Sequence, residues 1–154
     1  MAATFIGPPR PAEPEGHPVT STDDLLQAAR QRITRVTPAD LDAVAADGGL
    51  IVDIRPAEQR RREGDLDGAI VVERNVLEWR LDPTGGHRLP EVRGYDQQIV
   101  VVCSAGFASS LAAASLVDLG FTGAADLDGG YLAWARWAGR PTPPDPDPAG
   151  DAAL

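Results

Sequence analysis

A chain of 154 residues, 43% apolar and 24% charged, has room for one ordinary domain and enough apolar side chains to build its core. Fourteen basic residues, all of them Arg, stand against twenty-three acidic ones, for a formal net charge of −9. That balance argues against a nucleic-acid partner, which wants a basic footprint, and against docking on an anionic membrane. A single cysteine excludes an intrachain disulfide and any zinc site that needs two cysteines, and His17 and His87 are too far apart to suggest a metal cluster.

The N-terminal MAATFIGPPR has no apolar core of a secretory signal, and the longest apolar runs, of five or six residues, cannot span a bilayer. The expectation is a cytoplasmic protein with a free thiol. The abundance of Ala, Gly, Pro and Arg hints at a GC-rich bacterial genome. Residues 1–18 hold five prolines, and 139–154 are rich in Pro and Asp. Proline removes donors and fixes φ, so both segments read as flexible tails around a folded region of 20–138.

Ser21, with Asp24 three residues on, caps a first helix whose apolar positions are Leu25, Leu26, Ala29 and Ile33, an extra element over 20–34. Arg35-Val36 reads as an extended link. Thr37-Pro38 opens a second helix, stopped by Gly48-Gly49. LIVDI at 50–54 has the continuous β-branched character of a strand buried on both faces. Residues 56–63 are polar and helical, 69–72 a second strand, 75–81 a short helix, and 82–94 a Pro/Gly loop. IVVV at 99–102 is the strongest strand. A helix over 109–119 ends at Gly120, AADL at 124–127 is a short strand, and 131–138 a last helix. Strands alternating with helices predict an α/β fold: a mostly parallel central sheet with helices on both faces, three layers in all.

The chemistry concentrates where the strand 99–102 runs into Cys103. In open α/β sheets ligands bind beyond the carboxyl ends of strands. A short strand-to-helix loop can turn several N–H groups inward, and such a nest above a helix N-terminus stabilises a thiolate or a bound anion. Ser104, Ala105, Gly106, Phe107, Ala108 and Ser109 would form that cradle. Gly106 permits a positive φ or a close backbone approach. Phe107 would wall the pocket and help select the acceptor, or simply pack.

On these residues the chain resembles a single-domain rhodanese-like (thiosulfate sulfurtransferase) family over about residues 33–138. VDIR at 52–55 is similar to its Asp-x-Arg strand, GDLDGA at 64–69 to its Gly-His-Ile-x-Gly-Ala turn, CSAGFAS at 103–109 to its Cys-x-x-Gly-x-x-Ser loop, and GGYLAW at 129–134 to its Gly-Gly-x-x-x-Trp close. The chain departs from the pattern at Asp65, at Asp67 and at Ala108, where many members carry Arg. The resemblance implies the rhodanese-like three-layer fold and a sulfur transfer in which Cys103 takes sulfur from a small anionic donor such as thiosulfate. The sulfur then passes to a thiol or protein acceptor, with no metal or organic cofactor. By the same resemblance, the six residues from Cys103 to Ala108, counted to a helix that starts at Ser109, match the sulfur-transfer loop and not the longer phosphatase loop. A Cys-x5-Arg phosphatase would need Arg at position 109, and no Arg occurs between Arg93 and Arg136.

Other charged residues are read more modestly. Arg74, after the second strand, is the expected outside cation for the pocket. Asp53 and Arg55 would project to opposite faces if their strand continued, and a structural ion pair is the preferred role. Arg60-Arg61-Arg62 reads as a solvated helix face, and the Asp residues of GDLDG and DLDGG do not complete a calcium loop. The three Trp residues are expected to pack. The rival to an enzyme is a non-catalytic sulfur-carrier or regulatory module with the same fold.

Overall fold

The computed structural model describes residues 18–143. The expected tails at 1–18 and 139–154 lie outside it, apart from residue 18 and residues 139–143. Five parallel strands form one sheet in the order β1-β5-β4-β2-β3. They are β1 (Thr34–Val36), β2 (Leu50–Asp53), β3 (Ile70–Val71), β4 (Ile99–Val102) and β5 (Ala124–Leu127). The helices are α1 (Thr22–Arg30), α2 (Leu41–Ala46), α3 (Ala57–Glu63), α4 (Leu77–Leu81), α5 (Ala108–Leu119) and α6 (Gly130–Trp137). Among the described residues no helix is long and apolar enough to cross a membrane.

The apolar run of β4 is explained by its place at the centre, flanked by β2 and β5 and fully buried on both faces. Its side chains alternate. Ile99 and Val101 join Leu50 and Val52 of β2 in a core closed by Leu77 and Leu81 of α4 and by Ala112, Ala113 and Leu116 of α5. Val100 and Val102 point the other way, to a second core with Leu41 and Val44 of α2 and Tyr131, Trp134 and Ala135 of α6. The small alanines of α5 let that helix lie close to the sheet, so the loop before it stays directly above the strand ends.

Four local readings change. The helix expected over 20–34 stops at Arg30, before Ile33, because Thr34 already pairs in β1. Arg35-Val36 is no link but part of the edge strand β1, with Arg35 in register with Asp126. Three residues of mixed polarity carry too little periodicity to reveal an edge strand. Thr37-Pro38 opens a 3₁₀ turn, Pro38–Asp40, before α2, and Thr37 makes no side-chain cap. The helix after Cys103 starts at Ala108, one residue earlier than expected, within the normal spread of helix ends. The cap at Ser21 forms as read: its Oγ accepts the Asp24 N–H at 3.1 Å.

Candidate active site

Because all strands run the same way, the ends of β2, β4 and β5 open at one edge of the sheet, and Cys103 leaves β4 there. Its Sγ turns up into the loop and accepts the Gly106 N–H at 3.2 Å and the Ser109 N–H at 3.3 Å. The thiol donates to Ser109 Oγ at 3.2 Å. The cysteine forms the floor of this ring, and only 2% of its surface is exposed. An open thiol at the mouth is therefore not what the fold presents. The sulfur lies beneath the loop, met by the N–H groups of Gly106 and Ser109 and continuous below with the apolar core.

Gly106 can fold this way because its φ is +87° and because a Cβ there would stand 2.9 Å from the Gly129 nitrogen. Ala105 and Ala108 are half-buried, and Phe107 is exposed at the rim. Phe107 and Ala108 share an apolar hollow with Leu26 of α1 and Leu111 of α5. The start of α6 is stitched below the loop: the Tyr131 N–H donates to Cys103 O at 2.8 Å and the Leu132 N–H to Ser104 O at 3.1 Å.

Two buried networks grip the loop from opposite sides. On the first, Ser104 Oγ donates to Glu63 Oε1 at 2.6 Å. Glu63 Oε2 takes Arg55 Nη1 at 3.0 Å, and Arg55 Nη2 reaches Asp53 Oδ2 at 2.7 Å and Gly64 O at 2.9 Å. The guanidinium also lies 4.0 Å from the centre of the Tyr131 ring. Asp53 and Arg55 do not project to opposite faces: residues two apart along a strand share a face, and past the end of β2 at Asp53 the Arg55 guanidinium folds back onto that carboxylate. Burial disfavours the Arg55 charge, but Asp53 and Glu63 outweigh it and raise its pKa. Burial likewise pushes the Tyr131 hydroxyl up, against the pull of Arg55.

The second network centres on Asp126, fully buried in β5. Its Oδ2 accepts Ser109 Oγ at 2.9 Å and Ser110 Oγ at 2.7 Å, and its Oδ1 accepts Arg35 Nε at 3.0 Å. Arg35 also pairs with Asp128 at 2.9 Å. Partial burial opposes the Arg35 charge, yet Asp126 and Asp128 outweigh it and its pKa rises. Arg74, the cation expected at the pocket, is engaged instead by Glu78 at 2.8 Å, and Glu78 also accepts Ser115 Oγ at 2.5 Å. Among the described residues, the cations that reach the loop are Arg30 and Arg35. The sequence flagged neither, nor Asp126. A charged residue inside the buried run AADL was a usable signal for Asp126. Arg30 and Arg35 had none, since their partners lie more than seventy residues away.

Residues 37–136 match the rhodanese-like domain family. The chain belongs to the rhodanese family. This rhodanese domain is 33% identical over 103 residues to the adenylyltransferase and sulfurtransferase UBA4 of Candida albicans, a match covering 66% of this chain but 23% of that protein. The chain thus spans about a quarter of that relative. It is 32% identical over 100 residues to the thiosulfate sulfurtransferase GlpE of Pseudomonas entomophila, covering 65% of this chain and 83% of that one. A solved structure from Rhodopseudomonas palustris, described as a protein of unknown function and possible tyrosine phosphatase, superposes with a TM-score of 0.70 at 31% identity. That match covers 86% of this chain and all of the other.

Proposed function

We propose that this rhodanese domain is a sulfurtransferase that moves a sulfane sulfur from a donor such as thiosulfate to a thiophilic acceptor through a persulfide on Cys103. The observation that carries the reading is the pair of backbone N–H groups, of Gly106 and Ser109, that meet on Sγ. Family membership and the names of the two curated relatives support the reaction class.

The Cys103 thiolate attacks the outer sulfur of thiosulfate. A new S–S bond forms, the bond to the inner sulfur breaks, and sulfite leaves with that electron pair. The persulfide is anionic, and the cradle from Ser104 to Ser109 stabilises it as an oxyanion hole stabilises developing charge. Attack on the outer persulfide sulfur by cyanide yields thiocyanate and returns the thiolate. A cellular thiol, or a sulfur-accepting protein by analogy with UBA4, takes the place of cyanide. No cofactor enters these steps, and the transfer is covalent catalysis in two stages. In this reading Phe107 and the apolar hollow beside it receive the acceptor.

The test is intact-protein mass after exposure to thiosulfate. Wild type gains one sulfur atom, Cys103→Ala gains none, and Cys103→Ser loses thiocyanate production. A wild-type chain that stays unmodified while its partner binding persists would establish the non-catalytic module instead. The R. palustris resemblance raises phosphate-ester hydrolysis as a rival. Position 109 is Ser, and its hydroxyl is engaged with Asp126, so the guanidinium that would grip a phosphate is missing from that place. Cys103-dependent turnover of an aryl phosphate would reverse the assignment.

A further inference from the structure

Two guanidinium groups from outside the matched family region converge on one carbonyl of the active loop. Arg30, the last residue of α1, donates Nη2–H to Gly106 O at 2.8 Å. Arg35, in β1, donates Nη2–H to the same oxygen at 3.1 Å. Both precede residue 37, where the family match begins. The other end of Gly106 faces the chemistry, since its N–H is the donor 3.2 Å from Sγ.

In a trans peptide the carbonyl and the following N–H point in opposite directions. Drawing the Gly106 carbonyl out towards the two arginines therefore turns the Phe107 N–H away from them and fixes the plane of the peptide that follows the Gly106 N–H on Sγ. A carbonyl turned inward would instead bring its negative end to a thiolate or persulfide. Arg30 reinforces the arrangement at two more points. Its Nε donates to Ser110 Oγ at 3.1 Å, and its guanidinium lies 5.8 Å from the centre of the Phe107 ring. Ser109 Oγ donates its one proton to Asp126 Oδ2 at 2.9 Å and accepts the Cys103 thiol at 3.2 Å; once the sulfur is a thiolate, that hydroxyl proton is the one able to turn to it. The more fully Arg35 and Ser110 satisfy Asp126, the more readily that proton turns to the sulfur.

We infer that Arg30 and Arg35 are positioning residues of the sulfur site: the N-terminal segment supplies a two-arginine clamp that holds the Gly106 carbonyl outward and so fixes the loop N–H groups on Cys103. The inference deepens the sulfurtransferase reading and rests on it only where turnover is concerned.

The decisive variant is Arg30→Ala in the full chain. Arg30 is bonded to a hydroxyl and a carbonyl, so its loss strands no buried carboxylate. Alkylation of Cys103 by iodoacetamide, followed by mass across a range of pH, should slow about tenfold near neutrality, the scale of one lost charge-assisted hydrogen bond, with the profile displaced to higher pH. In thiosulfate–cyanide turnover kcat should fall by a similar factor while the donor KM holds. Arg30→Lys should recover part of both, because an ammonium can reach Gly106 O but not Ser110 as well. Arg32→Ala, which frees α1 from Asp118 without touching the loop, should react as wild type. Arg35→Ala should act like Arg30→Ala. If it fails to fold because Asp126 loses its partner, the Arg30 pair of variants decides alone. An Arg30→Ala chain with wild-type alkylation rate and pH profile overturns the inference, as does an equal loss in Arg32→Ala. A wild type that shows the Arg30 dependence but forms no persulfide keeps the clamp and removes the sulfurtransferase. A wild type and Arg30→Ala that turn over equally do the reverse.

Discussion

Arg55 shows how one residue can hold two carboxylates and a loop at once. It is 1% exposed, and Asp53 and Glu63 are buried beside it. Arg55→Met would leave two buried carboxylates without a cation. Removing one partner of a buried pair costs about 3–5 kcal/mol. The expected result is a lower urea midpoint with an unchanged slope, and a Ser104 no longer anchored through Glu63. The sequence correctly suggested a structural role for Asp53 and Arg55. It could not find Glu63, eight positions on, because nothing local distinguishes that acid from the other charges of α3. Gly130 is a second such residue. Its φ is +65°, and a Cβ would fall 2.5 Å from Ser104 O and 2.6 Å from Cys103 O. Gly130→Ala should destabilise by at least about 1–3 kcal/mol from backbone strain alone, and should displace the Cys103 carbonyl. A thermal melt together with the alkylation rate of Cys103 checks both.

At the scale of elements, α1 and α4 are each fastened to α5, and each attachment predicts a measurable effect. The Ser21 cap was legible because capping is a local rule, one side chain and one N–H three residues on. Ser21→Ala should cost about 1 kcal/mol of stability, read from denaturant unfolding. α4 is joined to α5 through Glu78, which accepts Ser115 Oγ and pairs with Arg74. Burial pushes the Glu78 carboxyl up, but the Ser115 hydroxyl, the backbone and Arg74 outweigh it and hold it below the ordinary carboxylate range. A depressed folded-state value means that this stability is present above the unfolded value and is lost as pH falls through the folded one. Wild type should therefore melt higher than Glu78→Gln near neutrality. The difference should shrink in acid, from a small starting value because the pair is partly solvated. The edge strand β1 was not legible. Its pairing with β5 is a contact across ninety residues, and three residues of strand leave no pattern to read.

At the scale of the whole molecule, the burial of Cys103 governs how the site meets its substrates. At 2% exposure the sulfur is shielded, and a small reagent reaches it more readily than a bulky one. Native protein should therefore react much faster with iodoacetamide than with a bulky aromatic disulfide, and unfolding in urea should abolish the preference. A native thiol inert to both would remove the sulfurtransferase reading altogether. The sequence alone determined the alternation of strands and helices, the parallel α/β sheet and the thiol at the end of its central strand. These follow from rules that act over a few neighbours: periodicity, capping, β-branching and turn residues. Only the tertiary structure decided that the sulfur lies under its loop, that Glu63 meets Ser104, and that Arg30, Arg35 and Asp126 converge on the cradle. Those arrangements depend on the order of strands and the packing of α1 on α5, which bring together charges that sequence distance keeps apart.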